Sequence, residues 1–430
     1  MPAKNTFANA ATFRLTDKSV PRATLVIGAL LCLMLVFTTC TVFVQQAWAL
    51  QCFQIGIYLL VAAQMIIGIR PGTEVLAAGP VPWLIYLVPL WGIFQIVAHT
   101  TTSTFDTRAE VLRWGSLVGV FFLTQAVARF ESSRRQLLSV FLGFATLMAV
   151  LCVIQLFTSE GRVLWIFPTG YPDVYATFPN ANNFSQFVEV ALPIALWRAL
   201  RGGSRSWWYA LCGGILYASV IASASRAGAV LCTAELLVML AIGLARLRKA
   251  SSGLRSRTTA AILILVPVLA IVFTVAVGWQ RVWVRFQGDD PYLGRREFLQ
   301  AAVEMVKHRP LTGFGLGTYP AVCQRYAPVD FSFYVNHAHN DWAEFAADGG
   351  IPFLLLIFIP FAAAVPTAIR HPWGLGLIAV MLHACVDYPF PRPAVSGWMF
   401  AMLAALYMQR ASDRCNTRID NSPIPFKRIP

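Results

Sequence analysis

The decisive stretch for the fold is ATLVIGALLCLMLVFTTCTVFV, residues 23–44. It carries no charged side chain, and about 20 apolar residues suffice for a helix to cross a hydrocarbon core about 30 Å thick. Lys4, Arg14, Lys18 and Arg22 precede it, as basic residues precede the apolar part of a signal peptide. Because that apolar part is only about 7–15 residues long, we interpret residues 23–44 as an uncleaved first membrane span.

Apolar runs of similar length recur along the whole chain. The 430 residues are 57% hydrophobic and only 13% charged, whereas a soluble domain is about a quarter charged. Twelve candidate spans lie near residues 23–44, 48–69, 76–97, 111–128, 137–158, 184–199, 207–223, 227–245, 260–278, 350–369, 373–388 and 393–409. The sequence therefore predicts an all-α polytopic membrane protein of about twelve transmembrane helices, with one large helical loop between spans nine and ten.

The distribution of basic residues predicts the orientation. The net charge of +14 does not indicate a nucleic-acid partner, because the basic residues form short clusters between apolar runs. With the N-terminus inside, the cytoplasmic segments hold 22 of the 34 basic residues and five of the 20 acidic ones, as the positive-inside rule expects.

The nine cysteines predict no disulfide framework, since most lie in apolar runs.

This orientation divides the chain into five parts. The predicted parts are a cytoplasmic N-terminus (1–22), spans one to nine (23–278), a large outer loop (279–349), spans ten to twelve (350–409) and a cytoplasmic tail (410–430). Long ordered loops are often functional, so the large loop is the predicted catalytic region.

Arginine residues stand at the outer ends of spans and at the start of this loop. Arg285, Arg295 and Arg296 open the loop, and Arg226 lies between spans seven and eight. A guanidinium binds phosphate through two parallel hydrogen bonds, so these residues suit a diphosphate-bearing substrate. The alternative is that they bind anionic lipid headgroups, and that Arg226 extends to the headgroup layer.

Asparagine residues form a second motif, ATFPNANN at residues 176–183. The amides of Asn180 and Asn182 can hydrogen-bond to sugar hydroxyls or to a phosphate. The alternative is that an asparagine caps the helix of span six, since asparagine favours that position.

The large loop ends in NHAHNDWAE, residues 336–344. In an extended segment, His337, His339 and Asp341 could clasp a metal ion. If the helix of span ten begins here instead, a neutral histidine at its N-terminus is available as a general base. Structural hydrogen bonding is the third interpretation. Two residues near the outer end of span eleven could support the site, His383 and Asp387.

These motifs, in this order, resemble the O-antigen ligase family, within a wider group that includes O-antigen polymerases and O-linking oligosaccharyltransferases. The best match is His339-Asn340, followed by nine residues and Gly350. The segments TFPNAN (177–182), SRAG (225–228), Gly294-Arg295 and PLTGFG (310–315) resemble further family segments. The chain departs from the family pattern at three positions, where it has Ala176, Asp348 and Phe353.

The resemblance implies a membrane-embedded, inverting glycosyltransferase that uses no metal and no cofactor. Its donor would be polysaccharide on undecaprenyl diphosphate, and its acceptor lipid A–core oligosaccharide, within the membrane lipid. The reaction would belong to lipopolysaccharide biosynthesis, at the periplasmic face of the inner membrane of a Gram-negative bacterium. An O-antigen polymerase, a protein O-oligosaccharyltransferase and a non-enzymatic polysaccharide transporter remain as alternatives.

The resemblance also implies a role for each candidate residue. His339 would take the proton from the acceptor hydroxyl, while Arg226 and Arg295 would bind the diphosphate. Six residues are expected to bind or orient the substrates: Arg285 and Arg296 at phosphate, His337 and Asn340 beside the base, and Asn180 and Asn182 at sugar or phosphate. An apolar groove beneath the arginines would accept the polyprenyl tail.

Overall fold

The structure, a computed structural model, describes residues 20–67, 79–249, 254–288 and 294–420. Most of the predicted cytoplasmic N-terminus (1–19) and the end of the predicted tail (421–430) lie outside these residues. The helices before the predicted loop are α1 (Arg22–Cys40), α2 (Ala47–Ile67), α3 (Leu84–Val97), α4 (Thr104–Ala128), α5 (Glu131–Thr158), α6 (Ala181–Leu200), α7 (Ser206–Ser223), α8 (Arg226–Lys249) and α9 (Leu254–Val277).

Helices also make up most of the remaining described chain. The loop region contains α10 (Gln280–Gln287), α11 (Arg295–His308) and α12 (Tyr319–Tyr326), and is followed by α13 (Asp341–Arg370), α14 (Leu375–His383) and α15 (Pro393–Asp420). Short 3₁₀ turns, Val81–Trp83 and Pro372–Gly374, precede α3 and α14. A two-stranded antiparallel ribbon joins α5 to α6, with β1 (Arg162–Val163) paired to β2 (Phe167–Pro168).

The described helices confirm a helical membrane protein. Within the described residues, seven helices are long and apolar enough to cross a membrane: α1, α2, α4, α5, α8, α9 and α13. Two shorter apolar segments, Val81–Val97 and Pro372–His383, contain α3 and α14. Each of the twelve predicted spans overlaps a helix, but the number of helices that cross the bilayer, and the outer placement of the loop, stay predictions.

Two helices form the centre of the bundle. All of α6 except Asn182, Trp197 and Arg198 is buried, and residues 394–408 of α15 are buried throughout. Aromatic side chains pack α15 against α5, since the Trp398 and Phe141 rings are stacked with their centroids 4.2 Å apart. A helix that is buried on every side can hold polar groups away from lipid, and α6 carries several of the polar residues described below.

The region after α10 has a small core of its own. Helix α11 is amphipathic, and its buried residues Phe298, Ala301, Ala302 and Met305 follow the spacing of one helical face. They pack with Tyr319 of α12 and Ala338, which precedes α13. The packing of α11 therefore fixes the segment that carries His337 and His339.

A kink at Gly350 connects this region to the bundle. Gly350 has φ 73°, and a Cβ there would lie 2.5 Å from the backbone carbon and oxygen of Leu311. The following amide, Ile351 N, donates to Pro310 O at 2.8 Å. The PLTGFG segment therefore docks against the kink, which gives a physical reason for the spacing between His339 and Gly350.

Phe353, one of the positions at which the chain departs from the pattern it resembles, fills the core beside this kink. Its side chain is fully buried, and its ring lies 5.7 Å from that of Trp114 and 5.9 Å from that of Phe345. The departure at this position is thus accommodated by aromatic packing.

Candidate functional site

His339 lies immediately before α13, in the left-handed region at φ 51°. The next residue, Asn340, is the N-cap, and its Oδ1 accepts from Ala343 N at 3.0 Å. Its Nδ2 donates to Cys385 O at 2.9 Å, which ties the cap to the connection between α14 and α15. The helix-start interpretation of this motif is therefore the one that the structure adopts.

A buried carboxylate holds the His339 ring. His339 Nδ1 is 3.2 Å from Asp387 Oδ1, and the two side chains are 26% and 1% exposed. The ring also packs between Phe298, at 6.0 Å, and Tyr388, at 4.9 Å. Because a carboxylate accepts hydrogen bonds, Nδ1 carries the proton and Nε2 keeps its lone pair. A neutral His339 in this state is a competent general base.

The surroundings keep Asp387 ionised. Burial by itself raises the pKa of this carboxyl, but the hydrogen bond from His339 and the charges of His383, His339 and Arg295 outweigh burial. The pKa of Asp387 is consequently below its ordinary value. An ionised Asp387 would stabilise an imidazolium at His339.

His337 has a separate carboxylate partner. Its Nδ1 is 2.9 Å from Glu344 Oε1, while Glu344 Oε2 accepts from Ala338 N at 2.7 Å. Tyr388 lies between the two histidines, since its ring stacks on His337 at 4.4 Å and meets the edge of His339. A cavity of about 90 Å³ beside His337 is lined by Glu110, Arg113, Trp114, Glu344 and Asp348, among others.

The metal-clasp interpretation of the His-x-His-x-Asp motif does not fit this arrangement. The three side chains contact three different partners. The third side chain, Asp341, is buried and accepts a hydrogen bond from Phe390 N at 3.0 Å. Within the described ranges, no three His, Cys, Asp or Glu side chains are grouped so that they could hold a metal ion.

Arg295 lies beside the histidine pair. It is the first residue of α11, after Gly294 in a glycine conformation at φ 80°. Its Nη1 donates to Val386 O at 3.0 Å, one residue before Asp387. The structure therefore brings together Arg295 and His339, which are 44 positions apart in the sequence. The neighbouring Arg296 is exposed.

Arg226 and Arg285 form a second arginine group. Arg226 Nη1 donates to Arg285 O at 3.0 Å, and Arg285 Nη1 donates to Ala224 O at 3.4 Å. Helix α10 is docked here through Val282, which packs with Ile221 and other buried residues of α7 and α8. The side chains of Arg226 and Arg285 therefore lie together where α7 ends and α8 begins.

Helix α6 connects the two arginine groups. Asn182 Oδ1 accepts from Ser225 Oγ at 2.8 Å, next to Arg226. Seven residues further along the same helix, Glu189 Oε1 is 2.8 Å from His383 Nδ1. Seven residues of helix correspond to about 10 Å along its axis, so one helix spans from the Arg226 group to the connection that holds Asp387.

Asn180 caps a helix, which is the alternative interpretation given above for this motif. It is the N-cap of α6, and its Oδ1 accepts from Asn182 N at 2.8 Å and Asn183 N at 3.4 Å. Its backbone is positioned by the preceding bridge between Tyr175 and Phe178. A role of Asn180 or Asn182 in binding sugar or phosphate stays a prediction.

Sequence reasoning named His383 and Asp387 as possible support for the site, but it did not identify the partners of these residues or the aromatic rings beside them. Tyr388 and Phe298 carry no motif, and the pairing of Glu189 with His383 joins residues 194 positions apart. A usable signal was present, since Glu189 and His383 are polar residues within apolar runs, where polar side chains are rare and usually functional.

Fold and site together define a helical membrane protein in which a His–Asp pair and an arginine side chain lie at the start of an apolar helix. Residues 190–358 match the family described as O-Antigen ligase. A comparison with curated proteins gives no match.

The matched region confirms the resemblance and defines the general class. It includes Arg226, Arg295 and His339, whereas Asn182 and Asp387 lie outside it. Members of this family are glycosyltransferase-like enzymes that act on polysaccharide or lipid-linked substrates.

Proposed function

We propose that this protein is an O-antigen ligase. It transfers polysaccharide from undecaprenyl diphosphate to lipid A–core oligosaccharide at the periplasmic face of a Gram-negative inner membrane. The observation that carries the proposal is the His339–Asp387 pair, 3.2 Å apart, with Arg295 bound to the carbonyl of the adjacent Val386.

The proposed step is a direct displacement at the anomeric carbon. The acceptor hydroxyl oxygen forms a bond to that carbon as the bond to the diphosphate oxygen breaks, so the configuration inverts. The hydroxyl proton passes to Nε2 of His339, a contribution typically worth about 10²–10⁴-fold. The departing electron pair remains on the diphosphate.

Arginine side chains stabilise the leaving group. Arg295 and Arg226 bind the diphosphate through charge-assisted hydrogen bonds, and Arg285 and Arg296 contribute positive charge nearby. Fixed cations of this kind perform the role that a divalent ion performs in other transferases, so the proposed reaction is metal-independent. Full activity in excess chelator is therefore expected, and its loss would contradict this part of the proposal.

The lipid tail is proposed to lie along α9 and α10. Exposed apolar side chains follow one another from Ile271 and Val275 on α9 to Trp279, Trp283 and Phe286 at α10. Arg285 and Arg226 lie at the same end. A lipid-anchored donor would thus reach the arginines sideways from the bilayer, with its tail against this apolar surface.

The identity of the product tests which acceptor the protein uses. Purified protein is incubated with undecaprenyl-diphosphate glycan and, separately, lipid A–core, a second lipid-linked glycan, or a peptide containing serine and threonine. Product on lipid A–core alone is expected. Chain growth on the lipid-linked glycan would indicate a polymerase, and modified peptide an oligosaccharyltransferase. Glycan flux into liposomes without any product would indicate a transporter.

A further inference from the structure

A second histidine–carboxylate pair lies buried next to the site. His383, the last residue of α14, and Glu189 of α6 are joined at 2.8 Å, and both side chains are 0% exposed. Gly376 allows the two helices to meet, because a Cβ at this position would lie 2.2 Å from Glu189 O. Ionisable groups in the interior of a membrane protein are costly and usually functional, and the proposed reaction has not yet used this pair.

The two pairs adjoin each other at Asp387. Asp387 N donates to His383 O at 3.0 Å, so the two residues are one helical turn apart, a spacing that places side chains on one face. The charge of His383 acts on Asp387. His383 Nε2 and Asp387 Oδ2 are both buried, and neither makes a hydrogen bond within the described part of the chain. Glu189 Oε2 is likewise buried and makes no hydrogen bond among the described residues.

We propose that His383, held by Glu189, is a positioning residue that keeps Asp387 ionised and thereby keeps His339 in the tautomer that accepts the acceptor proton. The inference rests on the proposed function, and it extends the site from one pair to the series Glu189, His383, Asp387 and His339. His383 exchanges no proton in the reaction. It acts on His339 through the charge and hydrogen bonding of Asp387.

Charge balance describes the series before and after proton transfer. With His383 protonated and His339 neutral, the series holds two carboxylates and one imidazolium, a net charge of −1. When His339 accepts the acceptor proton, the net charge becomes zero. The Asp387–His339 pair alone undergoes the same change, so the neutral second pair does not alter this balance. The cation at His383 instead favours the ionised form of Asp387, which keeps the pair in its proton-accepting state before the acceptor arrives.

Other charged groups face the same pair from neighbouring helices. Arg295 of α11 acts on His383, and Glu235 of α8, which is also buried, acts on Glu189. Arg295 and Glu235 are unchanged in the variants described below. A change in the kcat–pH profile of those variants therefore reports on the series itself.

The test replaces His383 with glutamine, which can still donate to Glu189 but cannot carry a charge. We expect His383→Gln to lower kcat roughly tenfold with unchanged KM for donor and acceptor. The acidic limb of the kcat–pH profile should move up by about one pH unit. Without the nearby cation, the Asp387–His339 pair takes up an inactivating proton at higher pH. A purely structural role would not move this limb.

A double variant guards against misfolding, and a second pair supplies the control. Glu189→Gln combined with His383→Gln replaces the ionic pair with two amides that can hydrogen-bond to each other. The control is His371→Gln, because His371 forms a comparable pair with Asp413, at 2.8 Å, just after α13. The control should keep the wild-type kcat and pH profile.

The outcomes separate this inference from the proposed function. Wild-type kcat and an unmoved acidic limb in His383→Gln and the double variant would overturn the positioning role, as would failure of both variants to fold in detergent. If His339→Ala ligates normally, the base assignment fails instead, whatever His383→Gln does.

Discussion

The His339 ring is bonded through Nδ1 to Asp387, although 48 positions separate the two residues. Asn340 connects the segments that carry them, since it caps α13 through Oδ1 and donates to Cys385 through Nδ2. One asparagine therefore aligns His339 with its carboxylate.

Asp387→Asn tests the orientation of the base. An amide can donate to Nδ1, which would favour the tautomer with its proton on Nε2 and remove the lone pair that the reaction needs. We expect kcat to fall by about 10²–10⁴-fold, the range seen when such an orienting carboxylate is lost. Donor binding, measured separately, should be unchanged. The matched control is Asp413→Asn, which disrupts the other His–Asp pair and should leave kcat as it is.

Asp387 should also contribute a pH-dependent part of the stability. Its pKa is lowered in the folded protein, so its contribution is present above its unfolded value, about 3.9, and is lost as pH falls through the folded value. Thermal unfolding in detergent between pH 6 and pH 3 measures this. The wild-type Tm should fall more steeply below about pH 4 than that of Asp387→Asn. Parallel curves for the two proteins would contradict the prediction.

Arg295→Lys distinguishes a guanidinium from a simple positive charge. Lysine keeps the charge but loses the planar fork that binds phosphate bidentately, so we expect a fall in kcat/KM of about tenfold or more. The control is Arg309→Lys, because Arg309 also donates to a backbone carbonyl, Thr100 O, at 3.0 Å. Equal effects at the two positions would indicate that Arg295 serves only to hold the backbone.

The kink at Gly350 should tolerate no side chain. Gly350→Ala places a Cβ against the Leu311 backbone at positive φ, which costs on the order of 1–3 kcal/mol from the backbone conformation alone. We expect a clearly lower Tm and lower ligation. The control is Gly143→Ala in α5, where a Cβ meets nothing within 4 Å and stability should rise slightly. A wild-type Tm for Gly350→Ala would show that the kink can straighten.

The sequence predicts the helical membrane fold well because the signal is local. An apolar run such as residues 23–44 is enough by itself to indicate a membrane environment, and α1 (Arg22–Cys40) covers most of it. The amphipathic spacing of Phe298, Ala301 and Met305 likewise predicts α11. The long, polar-flanked helices α4 and α5 begin several residues before the predicted spans, because composition marks where a helix becomes apolar and not where it starts.

The candidate site is less predictable because its contacts are distant in sequence. Asn180 has the same residue type whether it caps a helix or binds a sugar, and only the Asn182 and Asn183 amides within reach of its Oδ1 indicate a cap. The pairing of His383 with Glu189 depends on the packing of α14 against α6 at Gly376. No local pattern specifies such a contact.

Reconstituted ligation with His339→Ala tests the central claim most directly. Wild-type and variant proteins are purified in parallel, shown to have the same Tm, and given undecaprenyl-diphosphate glycan and lipid A–core. The account predicts that the variant binds donor normally but transfers glycan at least about 10²-fold more slowly. Transfer at a near-wild-type rate by the folded variant would contradict the assignment of His339 as the base.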